Sequence, residues 1–262
     1  MNPTPIHNNQ LYLSRMDLSI KDKLFFTDKI EFDVIVDFGC ANGALLSTLR
    51  EMYPNVKIIG YDTNPDMLSS AREILGNDVV LTNDWNLVIT ELRGYDSPLL
   101  NLSSVIHEVY SYSDSDEIHS FWNNYVYSGL FKYISIRDMI PSKVINNFKQ
   151  SLFRNDIAIV RELYDDIQYI DSFESTWGTL CNNYRTFMHF LLKYRYVENW
   201  DREVSENYLP IFYEEMEEFI PNNYNIIYKS HFVLPFLQER LISDFGIKFR
   251  HTTHSKYIIE LN

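Results

Sequence analysis

Two glycines and a later aspartate carry the clearest chemical signal in this 262-residue sequence. Gly39 and Gly43 follow the β-branched run 34–36, which is typical of a buried strand, and apolar residues at helical spacing come after them. Glycines let the backbone turn sharply and approach a ligand, and the first N–H groups of a helix lack intrahelical partners. A second apolar run ends in Asp62, whose carboxylate can accept both hydroxyls of a ribose. This order predicts a βαβ unit that binds a nucleotide.

The spacing of the glycines indicates which nucleotide is bound. A dinucleotide site needs G-x-G-x-x-G, and the third glycine is missing after Gly43. What stands is Asp37-x-Gly39-x-Ala41-x-Gly43, which resembles the D-x-G-x-G-x-G motif of class I S-adenosylmethionine-dependent methyltransferases. Ala41 replaces the middle glycine, and its small side chain should still let a ligand approach. Cys40 lies inside the turn, where the need for a small side chain is the simplest interpretation.

The resemblance continues along the next two strands. Tyr61–Met67 is similar to the ribose-binding strand end of that family, and Val80–Trp85 is similar to its third strand, where an acid meets the adenine amino group and the next residue covers the ring. The resemblance covers roughly residues 30–140, more loosely the C-terminal end, and implies S-adenosyl-L-methionine as cofactor. It assigns to the cofactor Asp37, Gly39, Cys40, Ala41, Gly43, Asp62, Thr63, Asn83, Asp84, Trp85, Leu102 and Ser103. The alternative is a turn that binds no nucleotide, with Asp62 as a helix cap.

The segment after the predicted fourth strand holds the candidate acid–base residues. His107 and Glu108 follow that strand, at a position that in the family lies beside the transferable methyl group. Their assignment as catalytic residues is therefore implied by the resemblance. The alternative is that His107 bonds a neighbouring loop and Glu108 begins or caps a helix. Arg137 and Asp138 end the fifth strand at the same edge, where they either face substrate or pair with each other or with Glu108.

The elements that must position these residues alternate regularly. The sequence predicts strands at 34–38, 56–61, 78–82, 98–103 and 133–138, with helices at 43–53, 65–75, 85–93 and 114–127 between them. Such alternation favours a parallel sheet with helices on both faces. The sequence also predicts strands at 225–233 and 255–261, separated by a helix at 235–244. With these, the resemblance implies a Rossmann-like, doubly wound, seven-stranded α/β sheet, mostly parallel with the last strand antiparallel. One or two short helices are expected within residues 1–30.

The alternation stops after Pro141, and residues 142–223 carry helical patterns. We therefore expect a methyltransferase core of residues 1–141 and 224–262, interrupted by an all-helical lid that binds substrate. In the segment 190–203, cations interleave with aromatic rings, which would allow stacking on a planar substrate. Acids are equally frequent there, so a salt-bridged helix with its aromatic residues in the core explains individual residues better.

Charge and composition narrow the location and the partners. The formal net charge of −13 argues against broad nucleic-acid binding, and no apolar run approaches membrane-spanning length. The two cysteines do not form a disulfide framework, and the first residues lack the pattern of a signal peptide. These features predict a cytoplasmic protein without a membrane partner. His251 and His254 lack a cysteine or an acid at ligand spacing, so no metal site is expected.

The leading hypothesis is a methyltransferase acting on a small molecule or nucleotide enclosed by the lid. The Asn/Asp-Pro-Pro-Tyr/Phe motif of amino-methylating DNA enzymes is absent, since the matching place reads Asn101-Leu102-Ser103-Ser104. One alternative is an RNA or DNA methyltransferase whose lid contacts phosphate through Lys193, Arg195 and Arg202. The other is a cofactor-binding regulatory protein without catalysis. The sequence leaves the acceptor atom and the oligomeric state open.

Overall fold

The computed structural model describes residues 20–262 and contains one seven-stranded sheet. Its strands are β1 (Val34–Phe38), β2 (Lys57–Tyr61), β3 (Val80–Thr82), β4 (Pro98–Ser103), β5 (Tyr133–Asp138), β6 (Tyr224–Phe232) and β7 (His254–Leu261). They lie in the order β3-β2-β1-β4-β5-β7-β6. The first five strands pair in parallel, and β7 runs antiparallel to both β5 and β6. The predicted fold class, with its antiparallel last strand, is confirmed.

Helices fill the connections between the strands. They are α1 (Ile20–Lys23), α2 (Ala44–Met52), α3 (Pro65–Leu75), α4 (Trp85–Glu91), α5 (Ile106–Tyr112), α6 (Ser115–Ser120), α7 (Arg154–Leu163), α8 (Ile167–Trp177), α9 (Tyr184–Lys193), α10 (Trp200–Ser205), α11 (Tyr213–Glu218) and α12 (Pro235–Phe245). The predicted helix over 114–127 is instead α6 followed by a π-helical turn, Phe121–Val126. Of the helices predicted within residues 1–30, all that precedes Ile20 lies outside the described residues.

The β-branched run in β1 forms the centre of the sheet. Val34 and Val36 are fully buried against one set of helices, whereas Ile35 is buried on the opposite face. A parallel strand covered on both sides needs apolar residues at successive positions, which is why this run does not alternate. The consequence for function is that β1, β2 and β4 all end at one edge, where the glycine turn and Asp62 lie together.

Besides the hydrophobic cores on the two faces of the sheet, a third core is formed by the helices between β5 and β6. It is built from residues of α7, α8 and α9, such as Val160, Phe173 and Phe187, and continues into α12 through Leu241. In the described part of the chain, the residues between β5 and β6 form helices and 3-10 turns without a strand. Because this core extends beyond residue 223, the division into core and lid stays a prediction. None of the helices of residues 20–262 is long and apolar enough to cross a membrane.

Candidate active site

The glycine turn after β1 is held against the end of β2. The amides of Gly39 and Cys40 donate to the Tyr61 carbonyl at 2.8 and 3.1 Å. Gly39 has a φ of +77°, and a Cβ built on it would lie 2.8 Å from Cγ2 of Val105. An L side chain there would strain the backbone and press on the turn between β4 and α5. Glycine is therefore required at this position by conformation as well as by space.

The other turn positions fit the same pattern. Ala41 has a φ of +47°, in the left-handed region, which explains why the family motif carries glycine at this position. Gly43 ends the turn just before α2, and a Cβ there would lie 2.6 Å from Cδ1 of Leu75. The buried thiol of Cys40 packs where Gly60 lacks a side chain, and its predicted contact with the cofactor stays a prediction.

Asp62 joins the turn to the end of β2. Its Oδ2 accepts a hydrogen bond from the Ala41 amide and its Oδ1 accepts one from the Asn64 amide, both at 2.8 Å. Burial raises the pKa of Asp62 and these hydrogen bonds oppose the rise. Each oxygen keeps a further lone pair for a ligand hydroxyl. The cap of α3 is Asn64, whose side chain accepts from Asp66 and Met67, so the alternative of Asp62 as helix cap is wrong.

A small pocket opens beside the glycine turn. Lys23, Asp37 and Ser103 lie in its wall together with turn residues. Asp37 is buried and accepts a hydrogen bond of 2.7 Å from Nδ2 of Asn101, and burial raises the pKa of Asp37 to about 6. The Oγ atom of Ser103 is buried and has no hydrogen-bond partner in residues 20–262. Such an orphaned polar atom is costly unless a ligand or a water pairs with it.

The residues predicted to hold the adenine ring lie in two environments. Asn83 and Asp84 are exposed, and the Asp84 carboxylate caps α4 by accepting from the Asn86 amide. Trp85 packs into an aromatic cluster, with its ring centroid 4.8 Å from Tyr125 and 5.2 Å from Tyr61. Packing therefore accounts for Trp85 already, and its contact with a cofactor ring stays a prediction.

Two further predicted cofactor residues differ in accessibility. Thr63 is exposed directly after Asp62. Leu102 is fully buried in the core beneath the sheet edge, so only its backbone is placed to meet a ligand.

His107 forms a buried pair with Asp138 at the start of α5. Nδ1 of His107 lies 2.7 Å from Oδ1 of Asp138, and the same carboxylate accepts from the amides of Ile106 and Met139. Burial by itself lowers the pKa of His107, but the Asp138 charge and hydrogen bond outweigh it and raise that pKa to about 9. Burial raises the pKa of Asp138 but is outweighed by His107, which holds it at about 2. Neither Arg137 nor Glu108 is thus the partner of Asp138.

Glu108 faces the helical insertion instead. Its Oε1 accepts a hydrogen bond of 2.9 Å from Nη2 of Arg202, whose Nε lies 2.7 Å from Oε1 of Glu206. Tyr112 donates to the same oxygen of Glu206 at 2.8 Å. Burial and the Glu206 charge raise the pKa of Glu108, with Arg202 and His107 opposing. Glu108 lies in the first turn of α5, near the helix start, and it also forms a charged contact with the insertion.

The three cations predicted to contact phosphate, Lys193, Arg195 and Arg202, are engaged within the protein. Lys193 is fully buried and donates to the backbone carbonyls of Glu203 and Glu206, both at 2.5 Å. Arg195 pairs with Asp244 of α12. Lys193 is therefore out of reach of a phosphate. Segment 190–203 is not one helix but the end of α9, a 3-10 turn and most of α10, and the predicted salt bridges and buried aromatic residues lie within it.

The structure thus brings together residues that the chain holds far apart. Arg202 and Glu108 are 94 positions apart, and His107 and Asp138 are 31 apart. The role of Arg202 toward Glu108 and the place of Lys23 in the pocket wall were missed, because no local motif accompanies either residue. Residues 20–262 contain no group of three or more His, Cys, Asp or Glu side chains arranged to hold a metal ion.

Comparison with known proteins gives a match in the nucleotide-binding part of the chain. Residues 31–82 match the sequence model of a family described as a methyltransferase domain. A stretch of 55 residues is 42% identical to the trans-aconitate 2-methyltransferase of Afipia carboxidovorans. That stretch covers 21% of this chain and 22% of the relative, so only about a fifth of the relative's length is matched.

The fold extends the similarity beyond that stretch. The crystal structure of TnmH superposes with a TM-score of 0.50 at 11% sequence identity, covering 97% of this chain and 57% of that one. At this identity the likeness concerns the fold alone. The matched residues contain the turn from Gly39 to Gly43 and Asp62, the same unit from which the family was predicted. Over residues 31–82 the chain is similar to a methyltransferase domain, in agreement with the resemblance to class I S-adenosylmethionine-dependent methyltransferases that the motif predicts.

Proposed function

We propose that this protein transfers a methyl group from S-adenosylmethionine to an acceptor held between the sheet edge and the helical insertion. The observation that carries the proposal is the joined unit of Gly39, Ala41 and Asp62, in which the Ala41 amide donates to the Asp62 carboxylate. In this unit a backbone turn lies beside a carboxylate whose oxygens can still accept hydrogen bonds from the hydroxyls of a ribose. The family match over residues 31–82 supports the same cofactor.

The residues present fit that cofactor. Gly39 lies in the pocket wall without a side chain, and the Ser103 hydroxyl in the same wall has no hydrogen-bond partner within residues 20–262. Asp37, Asp62 and Asp84 add carboxylates along the same edge, which suits a ligand with hydroxyl, amino and sulfonium groups. When bound, S-adenosylmethionine supplies an electrophilic methyl group that an acceptor displaces in line. The protein contributes mainly position to such a displacement.

His107 is the residue best placed to move a proton. Asp138 fixes the ring by accepting from Nδ1, and Nε2 has no hydrogen-bond partner within residues 20–262. Because its pKa is raised to about 9, His107 is an imidazolium at neutral pH and accepts a proton only in its neutral fraction. If the acceptor is a hydroxyl or an acidic carbon, its proton moves to Nε2 as the methyl group is transferred. Glu108, held by Arg202, orients the acceptor beside it.

A small molecule or nucleotide is our proposed acceptor class. The insertion reaches the sheet edge, since Arg202 bonds Glu108 and the Tyr208 ring lies 5.3 Å from the His107 ring. Residues 142–223 thus act as a lid in this proposal, over a core of residues 1–141 and 224–262. The internal pairing of Lys193 and Arg195 weakens the nucleic-acid alternative. The cytoplasmic location predicted from the sequence is part of the same proposal.

The proposed activity is tested by following a labelled methyl group. Purified protein is incubated with S-adenosylmethionine labelled in the methyl carbon and with fractionated small molecules from a cell extract, and products are identified by mass spectrometry. We expect one labelled low-molecular-mass product and release of S-adenosylhomocysteine. Label found in RNA or DNA would favour the nucleic-acid alternative. Cofactor binding without any labelled product would favour the regulatory one.

Replacing Asp62 with alanine is expected to weaken cofactor binding at least tenfold from an affinity of about 1 μM. The variant removes the charge-assisted acceptor of the ribose and releases the Ala41 amide that Oδ2 holds. Calorimetry with S-adenosylhomocysteine measures the change. Asp66→Ala serves as the control, because Asp66 is an exposed acid four positions further along the chain. Equal affinities in both variants and the wild type would mean that the ribose is bound elsewhere.

A further inference from the structure

Segment 202–208 of the insertion covers one face of α5, the helix that carries the proposed base. Positions 107, 108, 111 and 112 lie side by side on a helix, because residues four apart are neighbours along its axis. Each of these positions contacts one residue of the segment. The four pairs are His107 with Tyr208, Glu108 with Arg202, Ser111 with Asn207, and Tyr112 with Glu206. The insertion therefore contacts α5 along its whole length.

Helix α9 fixes the conformation of this segment from its other side. Lys193 is fully buried at the end of α9 and donates to the carbonyls of Glu203 and Glu206. One turn earlier on α9, Nε2 of His189 accepts from the Tyr208 amide at 3.1 Å. Burial and the Lys193 charge hold the pKa of His189 well below its usual range, so the ring is neutral and Nε2 is free to accept. The segment is thus held by the insertion itself.

Tyr208 is the residue of the segment that contacts the proposed base. Its ring centroid lies 5.3 Å from that of His107 at an interplanar angle of 70°, which is an edge-to-face arrangement. Both side chains are 7% exposed. The Tyr208 hydroxyl donates to the Glu203 carboxylate, and burial with the nearby acids raises the pKa of the phenol well above its usual range. The side chain is therefore a neutral ring, held by its hydroxyl and by its main-chain amide.

We propose that Tyr208 is a positioning residue, whose ring, fixed by the insertion, holds the His107 imidazole so that Nε2 points toward the acceptor. The proposal rests on the proposed function, since it takes His107 as the group that moves a proton. The hydrogen bond from Nδ1 to Asp138 fixes one point of the imidazole and leaves the ring able to turn about that bond. A packed aromatic neighbour removes this freedom. The insertion thus completes the geometry of the base as well as enclosing the acceptor.

Tyr208 also separates the His107–Asp138 pair from water. Three carboxylates raise the pKa of His107, namely Asp138 from β5, Glu108 from α5 and Glu206 from the insertion. His254 of β7 lies near the same ring, and burial holds its pKa well below the usual range, so it is neutral. In the folded protein the carboxylates outweigh the effect of burial on His107. Both effects weaken when water enters, so the pKa of a hydrated His107 falls toward its ordinary value of 6.5.

The first test is an NMR titration of the His107 ring in the protein alone, which needs no acceptor. Tyr208→Leu removes the aromatic ring and admits water, so it should lower the pKa of His107 by about 0.5 or more from the wild-type value of about 9. Tyr208→Phe keeps the ring and should leave that pKa nearly unchanged. Tyr194→Leu is the matched control, because Tyr194 is also buried and donates to a carboxylate, that of Asp244, but packs on α12.

The second test is a double-mutant cycle on turnover, with the acceptor found by the labelling experiment. Tyr208→Leu should lower turnover by about tenfold or more in the wild type, because a misplaced catalytic group loses rate steeply. In the His107→Ala background the same substitution should change turnover by less than about twofold, since no imidazole is left to position. Tyr208→Phe should retain most of the turnover. Tyr194→Leu should change turnover by the same small factor in both backgrounds.

The outcomes separate this inference from the proposed function. Absence of methyl transfer would contradict the proposed function, whereas the titration tests the contact between Tyr208 and His107 without any transfer. An unchanged pKa of His107 in Tyr208→Leu, or equal losses of turnover in both backgrounds, would overturn the positioning role. Nuclear Overhauser contacts between the two rings are expected in the wild type, and they need no variant to fold. Their absence would overturn the proposal as well.

Discussion

Replacing Gly39 with valine is expected to lower the affinity for S-adenosylhomocysteine by at least a hundredfold while the protein stays folded. Gly39 lies in the pocket wall with a φ of +77°, and even a single Cβ atom would come within 2.8 Å of Val105. A branched side chain would push against Val105 and strain the left-handed backbone, and so would shift the N–H groups of the turn away from the ligand. Calorimetry measures the affinity, and circular dichroism with thermal unfolding measures the fold.

The chain offers a matched control for the backbone strain. Gly129 has a φ of +79°, nearly that of Gly39, but a Cβ on Gly129 meets no atom within 4 Å. Gly129→Val should cost about 1–2 kcal/mol of stability, as left-handed backbone does for other residues, without changing the affinity. Loss of affinity in both variants, or in neither, would show that the glycine turn does not bind the ligand.

The glycine turn and the carboxylate beside it were predictable from the sequence, because the residues that form them lie close together in the chain. Gly39, Ala41 and Asp62 belong to one strand–turn–helix–strand unit, and the register Phe38↔Tyr61 places the ends of β1 and β2 side by side. Spacing in the chain therefore translates directly into distance in the fold. The same holds for the strands, since β1 is buried on both faces and its apolar run shows it.

The other half of the site depends on contacts that no local pattern records. Arg202 reaches Glu108 only because the insertion folds back over the sheet edge. The sequence of segment 190–203 is the same whether its cations bind a phosphate or a carboxylate, so it does not distinguish the two. The family pattern predicts that Trp85 covers a cofactor ring, but it gives no sign that the same side chain packs against Phe38, Tyr61 and Tyr125. Helical spacing gives the buried face of an element but not the partner that covers it.

Protonation changes the roles expected for His107 and Glu108. Sequence position made them equal candidates for a general base. In the structure, Glu108 is engaged by Arg202, and His107 is fixed by Asp138 with Nε2 left without a partner among the described residues. The raised pKa of His107 means that the neutral form, which alone can take a proton, gains population as the pH rises toward about 9. A base role and a donor role for this histidine thus have opposite pH dependences.

Replacing His107 with alanine is expected to lower turnover by about a hundredfold or more, with cofactor affinity within a few-fold of the wild type. In the wild type, kcat/KM should rise tenfold per pH unit up to about pH 9 and then level off, because the neutral ring is the active form. Asp138→Asn removes the negative charge that raises the pKa of His107, so the rising part of the pH profile should move toward lower pH. His119→Ala, at an exposed histidine, should leave both the rate and the pH profile unchanged.

Glu108→Gln separates orientation from proton transfer in the same assay. If the acceptor is a hydroxyl or an acidic carbon and Glu108 shares in taking its proton, turnover falls by a similar factor to that in His107→Ala. If Glu108 only orients the acceptor, Glu108→Gln should raise KM and leave turnover nearly unchanged. If the acceptor is an already nucleophilic nitrogen or thiolate, His107→Ala should likewise act mainly on KM. A kcat/KM that falls above pH 9 would make protonated His107 a hydrogen-bond donor to the acceptor. Turnover and KM unchanged in both variants would exclude this segment as the active site and move the chemistry toward Arg137 or the insertion.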